Sequence, residues 1–193
     1  MIICDTHCDT LYMRALQPNK TPCVTMDAMK KGGMSLQTCT LYAGNQGMAG
    51  HPYDKAMAEY HAFEHLRDAE GWERVNSPLE AEDGKVKILL SVEGGEIFEG
   101  KVERVHEFYG YGVRMAALTW NNENEIGHSA KSGSKKGIKP RGWGILRAMA
   151  GIKKAAGTSH LHEGGVLGFF EKTNHPPQAS PFFATVRVGR FAY

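Results

Sequence analysis

Asp5, His7 and Asp9 occupy alternate positions after the apolar run Met1-Ile2-Ile3-Cys4. In extended backbone successive side chains alternate faces, so these three project together from the end of one strand. An imidazole and a carboxylate two positions apart suit a borderline cation such as zinc, which takes nitrogen and oxygen ligands at about 2.0–2.2 Å. The same residues could instead cap the strand and open a turn, so the pattern needs partners elsewhere in the chain. Glu93, in Ser91-Val92-Glu93-Gly94-Gly95-Glu96, is one such partner, standing at the mouth of a buried apolar run. The two glycines after it would let the backbone approach a ligand closely. On its own, Glu93 could equally start the next helix as a charge near its positive end. Combined with His7 and Asp9, it is placed to bridge two cations ~3.5–4 Å apart.

The elements that must position these residues alternate. Residues 1–4 read as an apolar strand, and Ser35 to Tyr42 as a second, rich in β-branched and aromatic types. From Tyr53 to about Val75, Met57, Tyr60, Phe63, Leu66 and Ala69 recur every third position on one helix face. Val86 to Ser91 reads as a buried strand, Ile97 to Tyr109 as a helix, and Val113 to Thr119 as another buried strand. Asn121 to Pro140 is a polar loop, Arg141 to Ile152 resembles a helix, and Lys153 to Thr158 is a weakly specified strand. Beyond it, Glu163 to Thr173 can be helical and Thr185 to Val188 a short strand.

This order predicts a parallel sheet with crossover helices. His7 and Asp9, Glu93, and Trp120 to Asn124 each follow the carboxyl end of a strand, where β/α barrels gather their active-site groups. No Gly-x-Gly-x-x-Gly follows the first strand, so the barrel is favoured over a dinucleotide-binding sheet. The fold expected is α/β, a β/α (TIM) barrel. Residues 1–193 form a single partial domain in which 166–193 is a degenerate tail.

Composition bounds the function. A formal charge of +2 over 193 residues gives no strong field, and the basic clusters lack interleaved aromatics, so nucleic acid is not an expected partner. There is no secretory pattern and no stretch of ~18 apolar residues, so the reading is cytoplasmic with no membrane partner. Cys4, Cys8, Cys23 and Cys39 show no Cys-x-x-Cys spacing and read as reduced, structural thiols. His51, His61, His65, His106, His128, His162 and His175 read as solvated.

Four ordered motifs make the reading specific. They are Asp5-Thr-His7-Cys-Asp9, Val92-Glu93-Gly94-Gly95, Arg114 through Leu118-Thr119-Trp120-Asn121 to Asn124, and Ser159-His160-Leu161. Over about residues 1–165 the chain resembles the membrane (renal) dipeptidase family of zinc peptidases, particularly its soluble bacterial members. The resemblance implies a metal-dependent hydrolase-type β/α (TIM) barrel, incomplete here at five to six strand-helix units, with a binuclear zinc site in which a bridging hydroxide attacks the peptide carbonyl of a dipeptide substrate. His7 and Asp9 would bind the first zinc, Glu93 would bridge, and His160 would bind the second. Trp120 stands where mammalian relatives carry a substrate-contacting histidine, and either lines the substrate pocket or packs at a strand end.

The chain also departs from that pattern. A further zinc histidine is expected some twenty residues after His160, where Pro181 stands with no donor atom, in the run His175 to Phe183. Neither His162 nor His175 is expected to replace it. A full barrel of this type needs ~250 residues. The family's late substrate-binding arginine and its late catalytic aspartate would lie beyond Tyr193, which leaves the catalytic acid-base residue unknown. These features suggest a truncated or frame-disrupted relative holding one or two zinc ions, whose open strand edges would favour a homo-oligomer. Two alternatives stand beside the dipeptidase. One is another binuclear amidohydrolase, although such sites commonly use His-x-His on the first strand. The other is a non-catalytic remnant that binds at most one zinc.

Overall fold

The computed structural model describes residues 1–43, 50–132, 136–152 and 155–173. Six parallel strands form one sheet: β1 (Cys4–Asp5), β2 (Leu36–Tyr42), β3 (Glu73–Arg74), β4 (Lys87–Glu93), β5 (Val113–Ala117) and β6 (Ala155–Gly157). Their order across the sheet is β1-β2-β4-β5-β6, with β3 beside the start of β4. Apart from β3, spatial order follows chain order without reversal. That is how a singly wound barrel grows, whereas a doubly wound sheet reverses at a switch point. The sheet is half of a β/α barrel.

Strand parity separates two environments. Cys39 and Leu41 on β2, Ile88, Leu90 and Val92 on β4, and Val113 and Ala116 on β5 join the main apolar core with the helices. The opposite parity, Leu36, Leu89 and Met115, forms a smaller cluster with Val75 inside the half-barrel. Higher on that inner face the apolar residues give way to Thr40 and Ser91, which are register partners, and then to Tyr42 and Glu93, also register partners. The inner face therefore carries its apolar cluster low on the strands, beside Lys87 and Thr38, and is polar at their carboxyl ends, so the strand pattern itself creates a polar mouth.

Six helices cover the outer face: α1 (Thr10–Leu16), α2 (Met26–Lys31), α3 (Pro52–Glu70), α4 (Val102–Gly110), α5 (Pro140–Gly151) and α6 (Glu163–Thr173). The sequence reading passed over the short α1 and α2. The second carries a legible start signal, since the Thr25 hydroxyl accepts from Ala28 N at 3.2 Å.

Three boundaries needed correction. The helix expected through Val75 ends at Glu70, because Gly71 adopts a left-handed cap with φ 71°. Trp72 then turns into the core at 1% exposure, and Glu73 and Arg74 form β3. The buried face of α3 also carries Lys55 and Glu59, while Ala69 is exposed. The helix expected over 97–109 divides into a 3-10 turn at Gly95–Phe98 and then α4, because Glu99 and Gly100 take φ 51° and 67°. Three side chains hold Glu99 there: its carboxylate lies 2.5 Å from His51, 2.8 Å from Lys101 and 3.0 Å from Arg104. The expected first strand shortens to β1, yet its pairing runs on past Asp5. Cys8 N donates to Thr38 O at 3.0 Å, and Thr40 N donates to Cys8 O at 3.1 Å.

The tail boundary at 166 falls within α6. Lys153-Lys154, Pro181, the run 175–183 and the strand expected over 185–188 lie outside the described residues. All four cysteines are free thiols, with Cys8 and Cys39 buried and their sulfurs 3.4 Å apart.

Candidate metal centre

Asp9 stands at the N-cap of α1 but makes no side-chain capping bond. Its carboxylate instead lies 3.2 Å from His7 Nε2. Glu93, at the last residue of β4, brings Oε2 to 3.9 Å from the same nitrogen. One donor atom from each of His7, Asp9 and Glu93 lies within 4.8 Å of the others, the one such group of three among the described residues. Two ligands of a tetrahedral zinc at ~2.1 Å are separated by ~3.4 Å, so one nitrogen and two carboxylate oxygens at these spacings suit the ion.

Asp5 does not join them. Its Oδ1 accepts from His7 N at 3.1 Å and shapes the turn that presents the imidazole. His160 Nε2 approaches the other Glu93 oxygen, Oε1, at 3.5 Å and stands apart from the group of three. His160 holds φ 58°, uncommon for a residue with a side chain and most frequent at functional sites. The loop fixes it there, because Ala130 N donates to His160 O at 2.7 Å and Ser129 bridges to Leu161.

The electrostatics follow from crowding. Burial works to lower the His7 pKa, but the Asp9 hydrogen bond and the charges of Asp9 and Glu93 outweigh it and raise the value above 6.5. Burial pushes Glu93 above the usual carboxylate range, partly offset by His7 and reinforced by Asp9 and Glu96. His160 is lowered, first by burial and then by His7. An added cation would relieve the carboxylates and oppose the proton on His7.

Sequence reasoning missed the support behind His7. Thr40 Oγ1 lies 3.2 Å from His7 Nδ1 and 2.9 Å from Ser91 Oγ. For Nε2 to offer its lone pair to a cation, Nδ1 carries the hydrogen and donates to Thr40, whose hydroxyl donates on to Ser91. The available signal was two hydroxyl residues on apolar strands, but only the register Thr40 to Ser91 reveals the relay. Thr40→Val should weaken zinc binding about 10–100-fold while leaving the circular dichroism unchanged, the usual cost of removing such a partner. Unaltered affinity in a competitive chelator titration would remove Thr40 from the site.

The glycines after Glu93 serve the fold rather than a ligand. Gly94 takes φ 92°, and a Cβ on Gly95 would lie 2.3 Å from Ile126 Cδ1 and 2.7 Å from Leu118 O. Asn124, placed by the sequence at the strand end but without a role, ties that corner to the loop. Its Nδ2 donates to Glu96 at 2.9 Å and Leu118 O at 2.8 Å, while its Oδ1 accepts from Ile126 N and Gly127 N. Trp120 stands over the mouth, its ring centroid 5.0 Å from Tyr42 and 6.4 Å from His160. Of the remaining described histidines, His51, His61, His65 and His106 are exposed, whereas His128 pairs with Glu123 at 2.8 Å.

A parallel half-barrel with histidine and carboxylate donors gathered at the carboxyl ends of its strands has the architecture of metal-dependent β/α-barrel hydrolases. Residues 1–180 match the membrane dipeptidase family, peptidase family M19. The chain belongs to that family. Among solved structures it is similar to a metallopeptidase from Rhodobacter sphaeroides liganded with a phosphinate mimic of the dipeptide L-Ala-D-Ala. The TM-score is 0.75 and the identity 18%, over 86% of this chain and 60% of that one. A dipeptidase described as an M19 metallopeptidase gives 0.73 and 19%, over 86% and 58%. An amidohydrolase from Pseudomonas aeruginosa gives 0.66 and 21%, over 77% and 45%. The chain thus spans 60% or less of the length of these structures. No curated protein sequence matches it. Among the described residues, no helix is long and apolar enough to cross a membrane.

Proposed function

We propose that this chain carries the zinc-binding half of a dipeptidase, with His7, Asp9 and Glu93 as ligands of a first zinc and Glu93 and His160 as ligands of a second. The observation that carries the reading is the cluster of His7, Asp9 and Glu93 within 4.8 Å at the carboxyl ends of parallel strands. It is supported by membership of a metallopeptidase family. When bound, zinc supplies Lewis acidity that activates water near neutral pH and polarises a peptide carbonyl.

The chain's own groups divide the remaining work. Thr40 and Ser91 fix the His7 ring, and Glu93 offers one oxygen toward His7 and the other toward His160. Trp120 flanks the mouth as a wall of the substrate pocket. Among the described residues, those proposed for the second ion are His160 and Glu93. One tightly held zinc is therefore expected, with a weaker second. We read residues 1–193 as a single partial-barrel domain of a bacterial-type cytoplasmic protein, and its free thiols accord with a reducing compartment.

Zinc stoichiometry by elemental analysis, followed by binding of a phosphinic Ala-Ala analogue and hydrolysis of a small dipeptide panel, tests the reading. Zinc retained with the analogue bound supports it. Absence of zinc from a folded, correctly dispersed chain defeats it.

Zinc binding requires neutral His7, and Asp9 and Glu93 raise that residue's pKa. Zinc affinity should therefore fall as pH drops through the raised His7 value, above 6.5. In the metal-free protein the sign reverses. A raised histidine contributes stability that is fully present below the unfolded value and is lost as pH rises through the folded one. Melting of zinc-free and zinc-loaded protein between pH 5.5 and 8 should diverge with rising pH, and parallel curves would contradict this assignment.

A further inference from the structure

The strand that supplies Thr40 ends on Tyr42, a residue not drawn into the metal cluster. Thr40 faces His7, and side chains two apart on a strand share a face, so Tyr42 projects to the same inner mouth one step nearer the opening. Its register partner on β4 is Glu93 itself. The ring is gripped on two sides, with Tyr12 at 5.4 Å and Trp120 at 5.0 Å between centroids, both edge-on. Its main chain is pinned as well. Tyr42 N donates at 2.8 Å to Glu59 Oε2, from a carboxylate on α3 with no solvent exposure.

All this placement ends in a group without a partner. Tyr42 is 8% exposed, and its hydroxyl is buried with no hydrogen-bond partner among the described residues. Buried polar groups in folded proteins are nearly always satisfied, and each exception calls for an explanation. A phenol, with an ordinary pKa of about 10, carries its proton at neutral pH. The orphan is thus a donor, set beside the carboxylates that would hold the metal.

We propose that the Tyr42 hydroxyl is a substrate-contacting donor, which hydrogen-bonds an anionic or carbonyl oxygen of a dipeptide-like ligand entering between Trp120 and the His7, Asp9 and Glu93 cluster. The ligand class is a small peptide or peptide mimic carrying a carboxylate or phosphinate oxygen near the metal ligands. Trp120, half-buried, is the side chain that shifts to admit it. The inference rests on the zinc dipeptidase reading, because the oxygen it binds is one presented at the metal-ligand cluster.

Tyr42→Phe tests it with the ring packing kept. The full chain, loaded with zinc, is titrated calorimetrically with a phosphinic Ala-Ala analogue, and zinc affinity and melting are measured alongside. Removing an unsatisfied buried hydroxyl should leave the ligand-free melting temperature unchanged or slightly raised, with zinc affinity unchanged. Analogue affinity should fall roughly tenfold or more, as for a lost hydrogen bond to a charged group. A Tyr42→Phe chain that binds the analogue like the parent overturns the inference while leaving the zinc reading intact. Loss of zinc affinity or of melting temperature in the variant also overturns it, because the hydroxyl would then be structural. Failure of the parent chain to bind zinc is a separate result that defeats the zinc reading, and the inference with it.

Discussion

Glu93→Gln is expected to abolish stoichiometric zinc, lowering affinity roughly 100-fold or more, beyond the range for losing a residue that only supports a ligand. The same change should not weaken the metal-free protein. Burial raises the Glu93 pKa, so the fold binds more protons there than the unfolded chain does, and stability declines as pH rises from the unfolded value through the folded one. At neutral pH the ionised carboxylate opposes folding, and a neutral amide of the same shape relieves that. The zinc-free melting temperature of the variant should equal or exceed that of the parent, while the rise in melting temperature on adding zinc disappears. If Glu93 were only a favourable charge at the start of a helix, the substitution would lower the zinc-free melting temperature and leave zinc binding alone. Elemental analysis together with two melting curves separates these outcomes.

Gly95→Ala should destabilise the fold by about 1–3 kcal/mol, the usual cost of forcing atoms into filled space. The new methyl would lie 2.7 Å from Leu118 O and 2.3 Å from Ile126 Cδ1. The isoleucine can rotate, but the carbonyl cannot withdraw easily, because Gly95 N already donates to it at 3.1 Å. The strain falls two residues from Glu93, so zinc affinity should drop with stability. At roughly 2–4 °C per kcal/mol for a chain of this size, the melting temperature should fall by several degrees. Gly110→Ala, with nothing within 4 Å of its added methyl, serves as the control and should be neutral or stabilising. Equal melting of the two variants would show that the corner between β4 and its turn is not close-packed.

The two variants probe different parts of what could be read beforehand. Glu93 was legible because it follows a buried apolar run, and a parallel strand delivers its last residues to one end of the sheet. The function of Gly95 was not. Two glycines beside a candidate ligand suggest room for a substrate, and only the approach of Leu118 and Ile126, distant in sequence, shows that the chain itself fills the space. The divided helix at Glu99 and Gly100 was hidden for a similar reason: a glutamate is a good helix former until His51, Lys101 and Arg104 surround its carboxylate. Gly71 was legible in principle as a helix stop, but the spacing of three that runs through Leu66 obscured it.

By itself the sequence determined the element types of the main strands, the parallel order they imply, and His7, Asp9 and Glu93 as candidate ligands, while His160 joined them through the family resemblance alone. The strands, their order and those three residues depend on local alternation and on donor chemistry, which are written along the chain. Only the tertiary structure decided that Asp9 turns toward His7 rather than capping α1. It likewise decided that Asp5 shapes the turn, that Thr40 and Ser91 orient the imidazole, and that the Tyr42 hydroxyl is left at the mouth without a partner among the described residues. Each of these depends on strand register or on a contact between residues far apart in the chain. No local pattern encodes such distances, because they are set by how neighbouring strands and their covering helices pack.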